Sequence, residues 1–291
     1  MRALWKRNGV ALLACGVLVV LQLSLVLHIA RSGTERLKVS FLDVGQGDAI
    51  FIEGPTGIQL LVDGGPDRSV IRELARVMSP LDRHIDAVVA THPDKDHIAG
   101  LSDVFARYRI SHLVHSGRAH DTGVYEELFD AVAHEQGLLQ TEARLGMRFH
   151  LGGGAYADVL YPDRDVSRVR DTNDASVVLR VVYGSTAVLL TGDLSAPYEE
   201  RIVASAGTST VLVSTVLKAG HHGSKYSTGD VWLKAVHPGY VVISAGKDNS
   251  YGHPSPEVLE RVQKVGAQVV STVDRGTITF VSDGNSISLD N

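Results

Sequence analysis

The chain has 291 residues, 44% of them hydrophobic, and its 28 basic and 33 acidic side chains give a formal net charge of −5. Its single cysteine, Cys15, excludes a disulfide framework and a thiolate metal site. Setting aside Arg2, Lys6, Arg7 and Arg31 leaves 24 basic against 33 acidic residues, near −9, a poor footprint for tight nucleic-acid binding.

Residues 1–9 form a basic segment, and 10–30 an apolar run broken mildly by Gln22, Ser24 and His28. That length spans a bilayer. The basic residues before it place the N-terminus in the cytoplasm, and no Ala-x-Ala cleavage site precedes Ala30. A single-pass anchor in the cytoplasmic membrane is expected, with everything after it outside the cytoplasm; secretion after signal cleavage is the alternative. Residues 31–37 form a polar linker, and 38–291 read as one domain in two similar halves.

Leu37 to Val44 reads as a strand and ends in Asp43-Val44-Gly45-Gln46-Gly47-Asp48. Ala49–Glu53 and Ile58–Val62 form a hairpin around Gly54-Pro55-Thr56-Gly57, closing at Asp63-Gly64-Gly65-Pro66. Ser69–Met78 is a helix with Val70, Ile71, Leu74 and Val77 on one face. Ile85–Ala90 is apolar enough for a buried strand. Helices over Leu101–Tyr108 and Thr122–Glu135 flank a short strand, Leu113–His115. The second half carries strands over Met147–His150, Tyr156–Leu160, Ser176–Val182, Thr186–Leu190, Val211–Leu217 and Tyr240–Ser244. Helices fall over Pro197–Ala206 and Pro256–Val265, and Gln268 to Leu289 supplies the last strands. Strands and helices interleave in both halves, which predicts an α/β domain of two facing sheets with helices outside.

His92-Pro93-Asp94-Lys95-Asp96-His97 packs four metal-capable side chains into six residues. Pro93 can neither continue a central strand nor sit inside a helix, so the ligands are expected on a loop at a strand's C-terminal end. Imidazole plus carboxylate suits Zn, Mn or Fe. The run holds more ligands than one tetrahedral ion uses, so two ions about 3.5–4 Å apart are expected. Later apolar runs also end in ligand-type residues: Asp193 after Thr191-Gly192, His221 and His222 after Lys218-Ala219-Gly220, and His253 before Pro254. A lone strand-end Asp is usually a turn or helix cap; several, on separate strands, point to one shared site.

These residues carry a resemblance. The chain resembles the metallo-β-lactamase fold, an αββα four-layer sandwich, and within it the soluble domain of ComEC-type DNA-uptake proteins. The matching motifs are Phe41 through Asp48, Asp63-Gly64-Gly65, the His92–His97 loop, Asn173-Asp174-Ala175-Ser176, Thr191-Gly192-Asp193, Lys218 through Ser224 and Tyr251-Gly252-His253-Pro254. The domain also resembles bacterial phosphorylcholine esterases. The superfamily pattern is His-x-His-x-Asp-His, and Asp94 stands here in place of the second His. That argues against a β-lactamase and makes Mn as suitable as Zn. The resemblance implies that His92 and Asp94 hold a first ion, that Asp96, His97 and one of His221 or His222 hold a second, and that Asp193 bridges them. It places Asn173 near the superfamily's middle His and Asp48 beside the metal loop as a support.

Two such cations lower the pKa of a shared water, which attacks a phosphorus held in line. His221, His253 and Lys247 are candidates to take the developing charge. Each has a plainer role available: His221 as a residue orienting its neighbour, His253 as a turn residue, Lys247 as a solvated lysine. Lys218, Lys225, Lys247 and Arg275 are the expected phosphate contacts. The function expected is a membrane-anchored metal-dependent hydrolase, a phosphodiesterase or nuclease acting on a phosphodiester such as single-stranded DNA. The alternatives are a hydrolase of other esters (phosphorylcholine esters, thioesters or lactones) and a non-catalytic binding module.

Overall fold

The computed structural model describes residues 16–18, 20, 22, 35–207 and 210–290. The anchor expected at 10–30 falls mostly outside this set, as do residues 31–34 of the linker, whose last residue, Leu37, already belongs to the first strand. Among the described residues no helix is long and apolar enough to cross a membrane.

The first half runs β1 (Leu37–Phe41), β2 (Ile50–Glu53), β3 (Gln59–Val62), α1 (Ser69–Val77), β4 (His84–Ala90), α2 (Lys95–Arg107), β5 (Arg109–His115), α3 (Gly123–His134) and β6 (Leu139–Glu142). The second runs β7 (Arg148–Gly152), β8 (Ala155–Tyr161), β9 (Val178–Tyr183), β10 (Thr186–Leu190), α4 (Ala196–Ala206), β11 (Val216–Lys218), α5 (Asp230–Val236), β12 (Tyr240–Ile243), α6 (Pro256–Lys264), β13 (Gln268–Ser271) and α7 (Thr272–Arg275). β14 (Ile278–Ser282) and β15 (Ile287–Asp290) then return to the first sheet. One sheet is ordered β15-β14-β1-β2-β3-β4-β5-β6 and the other β13-β12-β11-β10-β9-β8-β7.

Both faces of the central strands are buried, so their sequences are continuous apolar runs whose alternation sorts side chains between two cores. Leu60, Val62 and Val89 face the other sheet and meet Val181, Val188 and Val242 there. Leu61 and Val88 point the opposite way, onto Leu74 of α1 and Leu101 and Val104 of α2. A third core lies outside the second sheet, where Trp232, Leu233 and Val258 cover Leu217 and Val241. Each such aliphatic side chain contributes roughly 1.5–3 kcal/mol by burial. The returning strand β14 pairs antiparallel with β1 and locks there by Phe41 against Phe280, edge to face at 6.2 Å.

Three predicted elements change. The strand expected at Leu113–His115 begins at Arg109. α2 begins at Lys95, six residues before the helix expected from Leu101. Asp94 is extended and takes the N-cap position, and Ile98, Leu101, Val104 and Phe105 supply the buried face from the first turn onward. The strand expected over Val211–Leu217 shortens to Val216–Lys218, because Val211 and Val213 are exposed and Thr210–Leu212 turns as a 3-10 helix. Only the last three residues enter the sheet between β10 and β12.

β4 runs parallel to β3 and β5, and β10, β11 and β12 are mutually parallel. The C-terminal ends of β4, β10, β11 and β12 lead directly into the His92–His97 run, Asp193, the His221-His222 pair and Ser244. Chemistry gathers at such strand ends in α/β folds.

Candidate metal centre

The His92–His97 run is only partly a loop. His92 and Pro93 are buried in the turn after β4, Asp94 caps α2, and Asp96 and His97 belong to its first turn. The expectation of a loop for all four is corrected by that cap, since a helix N-terminus favours acidic side chains in its first turn. Two glycine-rich turns clasp this helix start. Asp48 N–H donates to the Asp96 carbonyl (3.2 Å) and Gly64 N–H to the His97 carbonyl (2.7 Å). Gly47 has φ +138°, and a Cβ there would lie 2.2 Å from the Asp96 carbonyl oxygen, so only glycine fits.

Asp96, His97, Asp193 and His222 bring one ligand atom each to within 4.8 Å of one another. Asp193 Oδ2 stands 3.2 Å from both His97 Nε2 and His222 Nε2, and Asp96 Oδ2 is 3.2 Å from His222 Nε2. Nε2 of His92, His97 and His222 and Oδ1 of Asp193 are buried without a hydrogen-bond partner. Buried polar atoms are seldom left so. Three imidazole nitrogens left so, two of them beside Asp193 Oδ2, in an all-nitrogen-and-oxygen donor set, fit divalent ions of the Zn, Mn or Fe kind.

The outer partners fix each ring. His97 Nδ1–H donates to Asp63 Oδ2 (2.8 Å), and His222 Nδ1–H to the Ser244 carbonyl (2.9 Å). His92 Nδ1 lies 3.0 Å from Thr91 Oγ1, whose hydroxyl donates to the same Asp63 oxygen at 2.7 Å. Asp63 therefore orients two imidazoles and leaves both Nε2 atoms toward the cluster, the arrangement that metal-binding histidines use. Ser176 accepts the Asp193 N–H (3.0 Å) and touches His92 Nδ1 (3.3 Å). The motifs Asp63-Gly64-Gly65 and Asn173-Asp174-Ala175-Ser176 are visible in the sequence, but nothing in it assigns Asp63 or Ser176 the task of orienting the imidazoles.

Lys218 is wholly buried, so the surface phosphate contact expected of it is corrected. Its ammonium pairs with Asp48, donates to the Gly192 carbonyl (3.3 Å) and lies 3.5 Å from Asp193 Oδ1. It sits at the inner end of β11, between two sheets, and replaces part of the positive charge these carboxylates need. Asp48, Asp63 and His97 also place ligand atoms within 4.8 Å of one another. Within that trio Lys218 pairs with Asp48 Oδ2 and the His97 Nδ1–H with Asp63, while Asp48 Oδ1 is buried without a hydrogen-bond partner.

The charges follow from burial and partners. Burial pushes the His97 and His222 imidazoles down, but the neighbouring carboxylates, Asp193 first, hold both well above the usual range. Burial raises Asp193, yet His222, His97 and Lys218 hold it well below the carboxylate range. Asp48 is lowered to about 2 despite burial, chiefly by Lys218 and then His222. His92 is pushed down to about 3 by burial and then by His97, so it stays a neutral donor. Protons on His97 and His222 thus balance carboxylates that metal cations would otherwise balance.

His92 and Asp94 form the second end of the centre. Their Nε2 and Oδ2 are 3.8 Å apart, and the His92 and His97 rings are 4.1 Å apart. Burial raises the Asp94 carboxyl, while the Thr172 hydroxyl hydrogen-bonds it and lowers it. Asn173, one residue on, lies in a 3-10 turn over Thr172–Ala175, and its side chain makes no hydrogen bond to the cluster. His221 is one-third exposed, with Nε2 3.9 Å from Asp193 Oδ2. Both His221 and His222 have left-handed backbones (φ 49° and 55°), which turn successive side chains to different sides of the centre. The His253 ring packs 5.5 Å from His221, and its Nδ1 is buried without a partner. Lys247 is exposed, and no hydrogen bond or ion pair ties it to the site.

The metallo-beta-lactamase superfamily model matches residues 42–247, a stretch that contains every one of these residues except His253. Over 267 residues the chain is 30% identical to ComE operon protein 3 of Bacillus subtilis (strain 168), covering 84% of this chain and 33% of that protein. It is 31% identical over 248 residues to Competence protein ComA of Neisseria gonorrhoeae, covering 83% and 32%. The chain thus spans about a third of the length of these curated relatives. Among solved structures, Tm1679, a metal-dependent hydrolase of the beta-lactamase superfamily, superposes with a TM-score of 0.51 at 12% identity, covering 81% of this chain and 95% of that one. Paired sheets, clustered ligands at their shared edge and the 42–247 match agree: the chain belongs to the metallo-beta-lactamase superfamily.

Proposed function

We propose that this chain is a metal-dependent phosphodiesterase or nuclease, with single-stranded DNA as the leading substrate, held at the cytoplasmic membrane by residues 10–30 with the catalytic domain outside. The observation that carries the metal-dependent part is the cluster of ligand atoms on Asp96, His97, Asp193 and His222, with Nε2 of His92, His97 and His222 buried and without a hydrogen-bond partner. The competence proteins among its relatives support a DNA-related substrate. Asp94 in place of an imidazole makes the first pocket harder and supports Mn(II) alongside Zn(II).

His92 and Asp94 would hold one ion, and Asp96, His97 and His222 the other, with Asp193 between them. Bound there, divalent ions supply Lewis-acid chemistry and activate water at neutral pH. The chain's own residues do the rest. Asp63, Ser176 and the Ser244 carbonyl hold the imidazoles in one tautomer. Lys218 keeps Asp48 and Asp193 charged and in place. His221, partly exposed beside Asp193, is placed to donate a proton to a leaving oxygen, and His253 backs it.

The test is elemental analysis of metal-reconstituted protein, followed by bis-p-nitrophenyl phosphate, labelled single-stranded DNA with Mn(II), and nitrocefin. About two ions and phosphodiester cleavage are expected. Nitrocefin turnover without phosphodiester cleavage would overturn the reading. A net charge near −9 favours a second reading, hydrolysis of a small ester with a cationic group such as phosphorylcholine; activity on that ester alone would select it. Reporter fusions test the anchor: a C-terminal alkaline phosphatase is expected to be active and a fluorescent protein dark.

A further inference from the structure

Among the described residues only two aromatic side chains are exposed, Tyr226 at 67% and Tyr251 at 70%. A single exposed aromatic is ordinary. Each follows or precedes residues of the candidate metal centre on its loop, and the two loops touch where the Ser255 N–H donates to the Gly223 carbonyl (2.9 Å). Tyr226 follows His221 and His222 by a few residues, and Tyr251 precedes His253 by two. The Tyr251 ring stacks on His253 at 5.8 Å and 22°, and His253 packs 5.5 Å from His221, which reaches Asp193 at 3.9 Å. A continuous row of rings runs from the ligand cluster to the surface.

Both loops are held from below. Asn249 accepts the His253 N–H (3.0 Å) and donates to the carbonyls of Gly246 (2.8 Å) and His253 (2.7 Å), closing the loop whose tip is Tyr251. Buried Glu199 accepts the N–H groups of Thr228 (2.7 Å) and Gly229 (2.9 Å). Arg261 donates to the carbonyls of Lys225 (2.8 Å) and Ser227 (2.9 Å), on either side of Tyr226. The protein therefore fixes the backbone beneath two rings that it leaves in water. Ordering a loop is a cost of binding, and here the fold has met it in advance.

We infer that Tyr226 and Tyr251 form a stacking platform for the bases of a single strand whose phosphates enter the metal centre, an inference that rests on the phosphodiesterase reading above. Every base offers a flat face to an aromatic ring, so such a platform tolerates sequence. A duplex hides those faces inside its own stack, so the platform selects single strands. Lys225, 5.2 Å over the Tyr226 ring, adds a cation for the adjoining phosphate. This division of labour also suits an acidic domain: ring stacking supplies affinity that phosphate neutralisation elsewhere on the surface does not.

The experiment is fluorescence anisotropy of the full chain with a phosphorothioate-linked oligothymidylate, and with an abasic strand of the same length and backbone. The wild type is expected to bind the base-bearing strand more tightly. Tyr251→Ala and Tyr226→Ala should each weaken that binding at least about fivefold while leaving abasic binding in place; Tyr→Phe should retain it, since the ring does the stacking. Equal affinity for the two strands in the wild type, or a base preference that survives both alanine variants, would overturn the platform. Loss of binding to anionic vesicles with an unchanged oligonucleotide preference would assign the tyrosines to a membrane surface and overturn it too. Because binding is read apart from cleavage, a chain that discriminates bases but cleaves no phosphodiester would sink the nuclease reading and keep the platform.

Discussion

The two ends of the metal centre are furnished unequally. At the inner end, Asp96, His97, His222 and Asp193 already stand within 4.8 Å of one another, on rings fixed by Asp63 and the Ser244 carbonyl. At the outer end, His92 Nε2 has Asp94 Oδ2 at 3.8 Å, and neither residue belongs to that four-residue cluster. The inner pocket is preformed, so an ion there would meet little ordering cost. The outer pocket has fewer ligands and depends on the carboxylate it shares, so its ion is expected to be held more weakly and exchanged more easily.

In the proposed two-ion centre Asp193 would serve both ends, and its loss is the largest break in that comparison. Asp193→Ala is expected to abolish hydrolysis and release at least one ion, while leaving Lys218 buried with one carboxylate fewer. A variant that kept wild-type turnover and metal content, by activity assay and elemental analysis, would show that Asp193 holds neither ion. Removing one imidazole from each end separates them. His222→Ala should lose the tightly held ion, whereas His92→Ala should keep one ion per chain and lose only the second. Equal stoichiometry in the two variants would mean that the ends are equivalent.

A smaller effect tests the outer end alone. Asp94→His restores the superfamily's imidazole there and should lower the ratio of Mn- to Zn-supported activity. If the ratio stays put, Asp94 is no ligand.

The smallest effect lies beneath the loop that carries Tyr226. Burial pushes Glu199 up to about 7 from an ordinary 4.5, against the N–H groups of Gly229 and Thr228. The folded state therefore favours the neutral acid. Its contribution to stability is complete below about pH 4.5 and declines as pH rises to about 7, by an amount on the order of 2–3 kcal/mol. Glu199→Gln stays neutral throughout, so in chelator-treated protein its melting temperature relative to wild type should climb between pH 5 and pH 8. A flat difference would place the Glu199 titration outside that window.

Much of the outer frame was legible from pattern. Continuous apolar runs marked the hairpin at Ile50–Val62 and the strands around Val88, Val181 and Leu189, because burial on both faces demands such runs. The ligand types at the strand ends were equally visible, since His and Asp beside Gly or Pro are unusual after apolar strands. The start of α2 was not, because Pro93 and the charged run after it mask a helix whose cap is Asp94. Lys218 misled in the other direction: a lysine at a strand end reads as solvated, and only the packing of two sheets shows that it is enclosed with Asp48.

By itself, then, the order of residues determined the α/β class, the places where chemistry could sit and the kind of ion those places suit, because these depend on local periodicity and side-chain chemistry. The tertiary structure alone decided which of those residues meet. Asp63 and His97 are 34 positions apart, and Asp48 and Lys218 lie in different halves, yet each pair touches. Such contacts depend on strand order and on how one sheet faces the other. A single strand carries no record of its distant neighbours, so the partners that tune the metal centre appear only once the two sheets are closed.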